Sequence, residues 1–176
     1  MPSSSASSKM TRISPDPPFT IRSHRPGDMG YITYRHGAVY AQEYGFNNRF
    51  ESLIARITAD FLNNFKPDLE GCWIAEKDAS FLGCIMLVQD KKPKTAKLRL
   101  LLVDEKARGL GVGTALIQKC IDFAREAGYE HIDLWTQSIL EGARRLYKKA
   151  GFEMVETQNH NDWGVELTGE FWTLTL

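Results

Sequence analysis

"ARGLGVGTAL", residues 107–116, sets an arginine and three alternating glycines between the hydrophobic run 98–103 and a segment of helical periodicity. Glycine tolerates positive φ and lets another molecule approach the main chain, so Gly109, Gly111 and Gly113 expose N–H groups that need acceptors. At a helix N-terminus such groups converge with the positive end of the helix dipole, and a phosphate beside Arg108 satisfies both. Two familiar phosphate motifs fail on spacing. The dinucleotide fingerprint needs Gly or Ala at its last position, where this chain has Thr114 counting from Gly109 and Leu116 counting from Gly111. The P-loop needs a Gly-Lys pair, and the sequence contains none.

Working outward, Leu116, Cys120, Phe123, Ala124 and Ala127 form a helical stripe that ends at Gly128. "HIDLWTQ" (131–137) then alternates as a strand, and Leu140, Ala143, Leu146, Tyr147 and Ala150 make a second stripe ending at Gly151. "FEMVETQ" (152–158) and "GEFWTLTL" (169–176) close the chain as strands. Upstream, "KLRLLLV" (97–103) is a strand, and "CWIAEKDASFLGCIMLVQD" (72–90) is a hairpin turning at 77–80. Phe50, Leu53, Ile54, Ile57, Phe61, Leu62 and Phe65 fall on one helical face behind Asn47 and Asn48, both suitable caps. "FTIRSHR" (19–25) alternates as a strand, "RPGDMG" (25–30) breaks it, and "YITYRHGAVYAQEYGF" (31–46) is helical in part. Seven strands and four helices in this order predict an α/β (α+β) domain with a mixed central sheet.

A length of 176 residues suits one domain, expected over 19–176 behind a Ser- and Pro-rich, disordered tail at 1–18. Lys plus Arg and Asp plus Glu number 22 each, so no overall field draws the chain to nucleic acid or an anionic membrane. No apolar run approaches the roughly 20 residues of a membrane span. Cys72, Cys84 and Cys120 lack metal-ligand spacing and sit in apolar stretches, which predicts reduced core thiols and no metal site. A cytoplasmic location follows, with a nuclear one left open.

Arg108, Gly111 and Gly113 form R-x-x-G-x-G after a strand and before a helix, and "ARRLYKKAGF" (143–152) places Tyr147 four residues before Gly151. In these elements, over about 97–152, the sequence resembles the GCN5-related N-acetyltransferase (GNAT) superfamily. "HRPGDMG", "YRHG", "EYGF", "CWIAE" and "WGVELTGEFWTLTL" extend the resemblance to the acetyltransferase halves of bacterial proteins that fuse a MarR-type winged-helix regulator to this fold.

The resemblance implies the GNAT fold, acetyl-CoA as co-substrate, and direct attack of a primary amine on the thioester. It implies that Arg108, Gly109, Leu110, Gly111, Val112, Gly113 and Thr114 hold the pyrophosphate, and that Leu101, Leu102 and Val103 pair with the pantetheine arm and offer an oxyanion N–H. Ala143 belongs to the same cofactor surface, and Ser138 stands where many relatives carry an asparagine. Tyr147 becomes the general acid for the departing thiolate. Relatives often carry a glutamate on the central strands, where "KLRLLLV" has Arg99 instead, so Glu43 is the first candidate base and His160 the second. Tyr40, Tyr44, Trp135, Trp163 and His160 are candidate pocket walls. Arg99, a cation inside an apolar strand, needs a partner such as a substrate carboxylate or Glu43. The expected acceptor is the amine of a small molecule such as an amino acid. A protein or peptide acceptor, a non-catalytic acetyl-CoA-binding module and a homodimer stay open.

Overall fold

The computed structural model describes residues 18–176; the expected tail at 1–18 lies, but for its last residue, outside the described residues. The elements run β1 (Thr20–Ser23), α1 (Asp28–Tyr44), α2 (Asn48–Asn64), β2 (Gly71–Lys77), β3 (Ser80–Gln89), β4 (Thr95–Val103), α3 (Val112–Glu126), β5 (His131–Gln137), α4 (Glu141–Lys149), β6 (Glu153–His160) and β7 (Leu167–Thr175). A short 3-10 turn, Glu105–Ala107, follows β4. The strands form one sheet in the order β1-β2-β3-β4-β5-β7-β6. Every neighbouring pair is antiparallel except β4 and β5, whose connection through α3 is the crossover that a parallel pair requires.

Helices cover both faces. The apolar stripe of α3, with Leu116, Cys120 and Ala124 fully buried, packs with Tyr147 of α4 against Ile85, Leu87, Leu98 and Ile132. On the other face Met29, Ile32 and Phe61 from α1 and α2 meet Ile74, Cys84, Met86 and Leu102. A third cluster of Phe46, Phe50, Ile54, Trp163 and Leu167 closes the β5/β7 end of that face. All three cysteines are buried free thiols, and burial pushes Cys72 up to about 12, so they serve as core hydrophobes.

Local rules set most boundaries. Asn47 caps α2, its side-chain oxygen accepting from the Arg49 N–H at 3.0 Å. The first helix departs from the sequence expectation: it begins at Asp28, inside the segment expected to break structure. There Gly27 takes φ 96° just before the helix, and Asp28 lies where a carboxylate favours a helix start. The last strands also shift, so that β6 runs on to His160 and β7 starts at Leu167.

Beside the glycine loop, β3 and β4 lose register. Cys84 pairs with Leu102 but Met86 pairs with Arg99, so β4 spends an extra residue, and Leu100 adopts φ 54°. Gly83 makes this approach feasible, since a Cβ there would lie 2.6 Å from the Leu102 carbonyl oxygen. The parallel pairing of β4 with β5 covers only Thr95, Ala96 and Lys97. Beyond Lys97 the two strands part, and the β5-facing edge of β4 is unpaired.

Candidate active site

Two connected spaces occupy the gap between β4 and β5. The outer one, a groove of about 590 Å³, is lined by Leu101, Leu102 and Val103, by Arg108, Gly109, Gly111, Val112, Gly113 and Thr114, and by one side of α4. The inner one, a cavity of about 120 Å³, is lined by residues 97–101 of β4, 135–137 of β5, Tyr147, and aromatic and aliphatic side chains of α1 and α2. Tyr40, Leu101, Leu140 and Ala143 line both, which makes the two spaces contiguous.

The groove suits an anion. No side chain caps α3, and Ala115 N–H is the first to bond back, to Gly111 O at 3.0 Å, so the N–H groups of Val112, Gly113 and Thr114 meet the groove. Gly109 and Gly111 hold φ of 82° and 79°, and a Cβ on either would touch nothing within 4 Å, so the space above the loop is open. Arg108, Arg145 and Lys149 face the groove opposite a single acid, Glu43. Arg108 Nη2 donates to Glu43 Oε1 at 2.8 Å, tying the loop to α1; that bond raises the Arg108 pKa. These features fit the diphosphate of coenzyme A: bare N–H groups, a helix dipole, excess cations and a strand edge for an extended arm.

Of the residues singled out from the sequence, the groove thus brings together Leu101, Leu102, Val103, Arg108, Gly109, Gly111, Val112, Gly113, Thr114 and Ala143, with Tyr40, Tyr44 and Glu43 on the α1 side. Leu110 points out, 48% exposed. Ser138 lines neither space; its N–H donates to Thr168 O at 2.9 Å, which fastens the end of β5 to β7.

Arg99, Tyr40, Trp135, Trp163, Tyr147 and Leu101 line the inner cavity. Burial pushes the phenols of Tyr147 and Tyr40 well above the ordinary value, so both stay protonated. Arg99 is half-buried and, among the described residues, lies within 4.0 Å of no carboxylate; burial lowers its pKa. It therefore has no ion pair with Glu43, which Arg108 holds. His160 ends β6; its ring stands 5.2 Å from those of Trp135 and Trp163, with Nε2 at 2.8 Å from Gln137 Oε1.

Several cavity residues were not singled out from the sequence, above all His36, Gln137, Phe46 and Phe50. His36 is 2% exposed and stacks on Tyr40 at 5.7 Å with an interplanar angle of 11°. The one available signal was the spacing of His36, Tyr40 and Glu43, which puts the three on one face of a helix. Among the described residues no three His, Cys, Asp or Glu side chains converge on a metal position, and no helix is long and apolar enough to cross a membrane.

Comparison with known proteins agrees with this geometry. An N-acetyltransferase of uncharacterized role from Methanocaldococcus jannaschii is 33% identical over 96 residues, 52% of this chain and 42% of that protein. Human N-acetylaspartate synthetase is 28% identical over 95 residues, 54% of this chain and 32% of that one. The chain thus spans less than half the length of these relatives. A solved structure from Salmonella typhimurium that holds acetyl-CoA as its cofactor shares the fold, with TM-score 0.69 at 21% identity over 90% of this chain and 94% of that chain. The family model described as "Acetyltransferase (GNAT) family" matches residues 35–152, from α1 through the glycine loop to the Gly151-Phe152 pair, and the chain belongs to that family.

Proposed function

We propose that the protein transfers the acetyl group of acetyl-CoA to the primary amine of a small molecule that also carries a carboxylate, an amino acid being the simplest case. The observation that carries the acceptor class is Arg99, a half-buried guanidinium without an ion pair among the described residues, lining a cavity otherwise walled largely by apolar and aromatic side chains. A cation so placed gains most from a carboxylate that arrives with the substrate. The name of the human relative, N-acetylaspartate synthetase, describes the same chemistry on one amino acid.

In this reading the chain from residue 19 onward is one catalytic unit, related through its motifs upstream of the glycine loop and its C-terminal stretch to the acetyltransferase halves of regulator fusions. The groove residues hold the diphosphate, and the free edge of β4 aligns the arm and supplies an N–H to the developing oxyanion. Tyr147, at the α4 wall of the cavity, gives its proton to the leaving thiolate. Burial keeps the phenol protonated before reaction but also opposes release of the proton, so close placement against the sulfur has to carry the role. Glu43 acts on the groove side through its bond to Arg108, which orients the loop.

The test is thiol release and product mass with acetyl-CoA and matched acceptors, L-leucine against isopentylamine and L-phenylalanine against phenethylamine. The expected result is turnover of the amino acids, with Arg99→Leu raising their KM by more than about tenfold while leaving the amines within about twofold. Equal losses on both members of each pair overturn the carboxylate assignment. Acetyl-CoA binding without turnover on any amine overturns the transferase reading.

A further inference from the structure

Any acyl transfer to an amine must remove a proton from the attacking nitrogen, and the inner cavity holds a group suited to it that the groove residues do not supply. His36 sits on α1 with its imidazole buried, Nδ1 at 2.9 Å from the Ile32 carbonyl oxygen. A carbonyl oxygen only accepts, so Nδ1 carries the hydrogen and, in the neutral ring, Nε2 carries the lone pair. Nε2 is buried and has no hydrogen-bond partner among the described residues. A buried acceptor left unpaired destabilises the fold unless something arrives to use it. His36 lines the cavity together with Arg99 and Tyr147, and its ring is braced by the stacked Tyr40.

We propose that His36 Nε2 is the base of the reaction: it accepts a hydrogen bond from the acceptor amine, orients its lone pair toward the thioester, and takes the proton as the amide forms. This assignment rests on the acetyl-transfer reading above. The balance is complete. The nitrogen lone pair forms the C–N bond to the acetyl carbon, and the C–S bond breaks with its electron pair on sulfur. The proton leaving nitrogen goes to His36 Nε2, and sulfur receives the Tyr147 hydroxyl proton. Passage of the imidazolium proton to the tyrosinate through water restores both residues. A weak base suffices because the acceptor enters as the neutral amine, its ammonium proton left with solvent, and the nitrogen turns acidic only as the C–N bond forms. Arg99 and His36 line the same cavity, the one suited to the carboxylate and the other to the amine of an amino acid.

Two variants and one direct measurement test this. His36→Gln places an amide, able to accept but not to take a proton, near the Nε2 position, and His36→Phe keeps a ring without nitrogen. With the better amino acid of the leucine and phenylalanine pair, His36→Phe is expected to lower kcat/KM by about 100-fold or more, and His36→Gln to lower kcat by at least about tenfold with KM within about threefold. Acetyl-CoA affinity measured by calorimetry should stay within about twofold in both, since His36 does not line the groove. On the wild-type protein, the 15N resonance of Nε2 should move when the same amino acid is added together with coenzyme A. Wild-type turnover with a His36→Gln variant equal to it, or an Nε2 resonance that stays fixed at saturating amino acid, overturns the assignment and leaves the transferase intact. A wild-type protein that turns over no amine overturns both.

Discussion

Tyr147 is at once a core side chain and a wall of the inner cavity. It is 5% exposed, packs near Phe152 and Trp172, and stands on the helical stripe whose periodicity alone reads as core. Packing can also position a general acid, so the two descriptions are compatible. Removing only the hydroxyl separates them: Tyr147→Phe is expected to lower kcat by more than about tenfold while acetyl-CoA affinity stays within about twofold, as measured by thiol release and calorimetry. An unchanged kcat would mean that the residue only packs. Arg99 and the glycine loop were legible in the sequence because their signals are local: a charge inside an apolar strand, and bare backbone before a helix. His36 was not, because its significance comes from tertiary placement, a buried ring bonded, among the described residues, to Ile32 O alone. Glu43 was legible as an acid near the site, yet its pairing with Arg108 joins residues 65 positions apart, and no spacing rule reaches that far.

At the scale of elements, the decisive feature is that β4 serves two neighbours unequally. It pairs with β3 along nearly its whole length and with β5 only through Lys97. The bulge at Leu100, with Gly83 admitting the Leu102 carbonyl, turns the C-terminal half of β4 away from β5. The run "KLRLLLV" announces a strand but not this departure, since a leucine is not expected at φ 54° and only the surrounding packing holds it there. The strand ends drifted from expectation for the same reason, pairing partners rather than local propensity deciding where β6 and β7 stop. An unpaired edge completed by an extended ligand behaves as strand addition. Amide hydrogen exchange over residues 101–103 should therefore slow at least about tenfold on saturation with acetyl-CoA, with residues 84–88 of β3 little changed. Exchange in that segment insensitive to acetyl-CoA would deny β4 its part in holding the arm.

For the molecule as a whole, burying a neutral imidazole couples stability to pH. Burial lowers the His36 pKa from 6.5 to about 4, the Ile32 hydrogen bond opposing it only in part. The other side chains of the shared cavity are Arg99 and Lys97 on β4, Tyr40 on α1 and Tyr147 on α4, the two phenols held protonated, and α2 contributes only apolar side chains. A depressed folded-state value means that between these limits the unfolded chain binds the proton and the native protein does not, so stability is full above pH 6.5 and falls as pH drops toward 4. The loss amounts to as much as about 3 kcal/mol, or about 6–12 °C in Tm for a chain of this size. Asp28 and Asp133 have folded-state values below 3.8, the first held there by Arg22 and the second by Lys92 and Thr173 against desolvation, so their contribution is lost mainly at still lower pH. Replacing His36 removes one titration and leaves the others in place. The gap in Tm between wild type and His36→Gln, followed from pH 7.5 to pH 4.5, should therefore shift against the wild type by most of that amount. Parallel curves would mean that the ring takes up its proton without strain, and the neutral acceptor in the cavity would be lost with it.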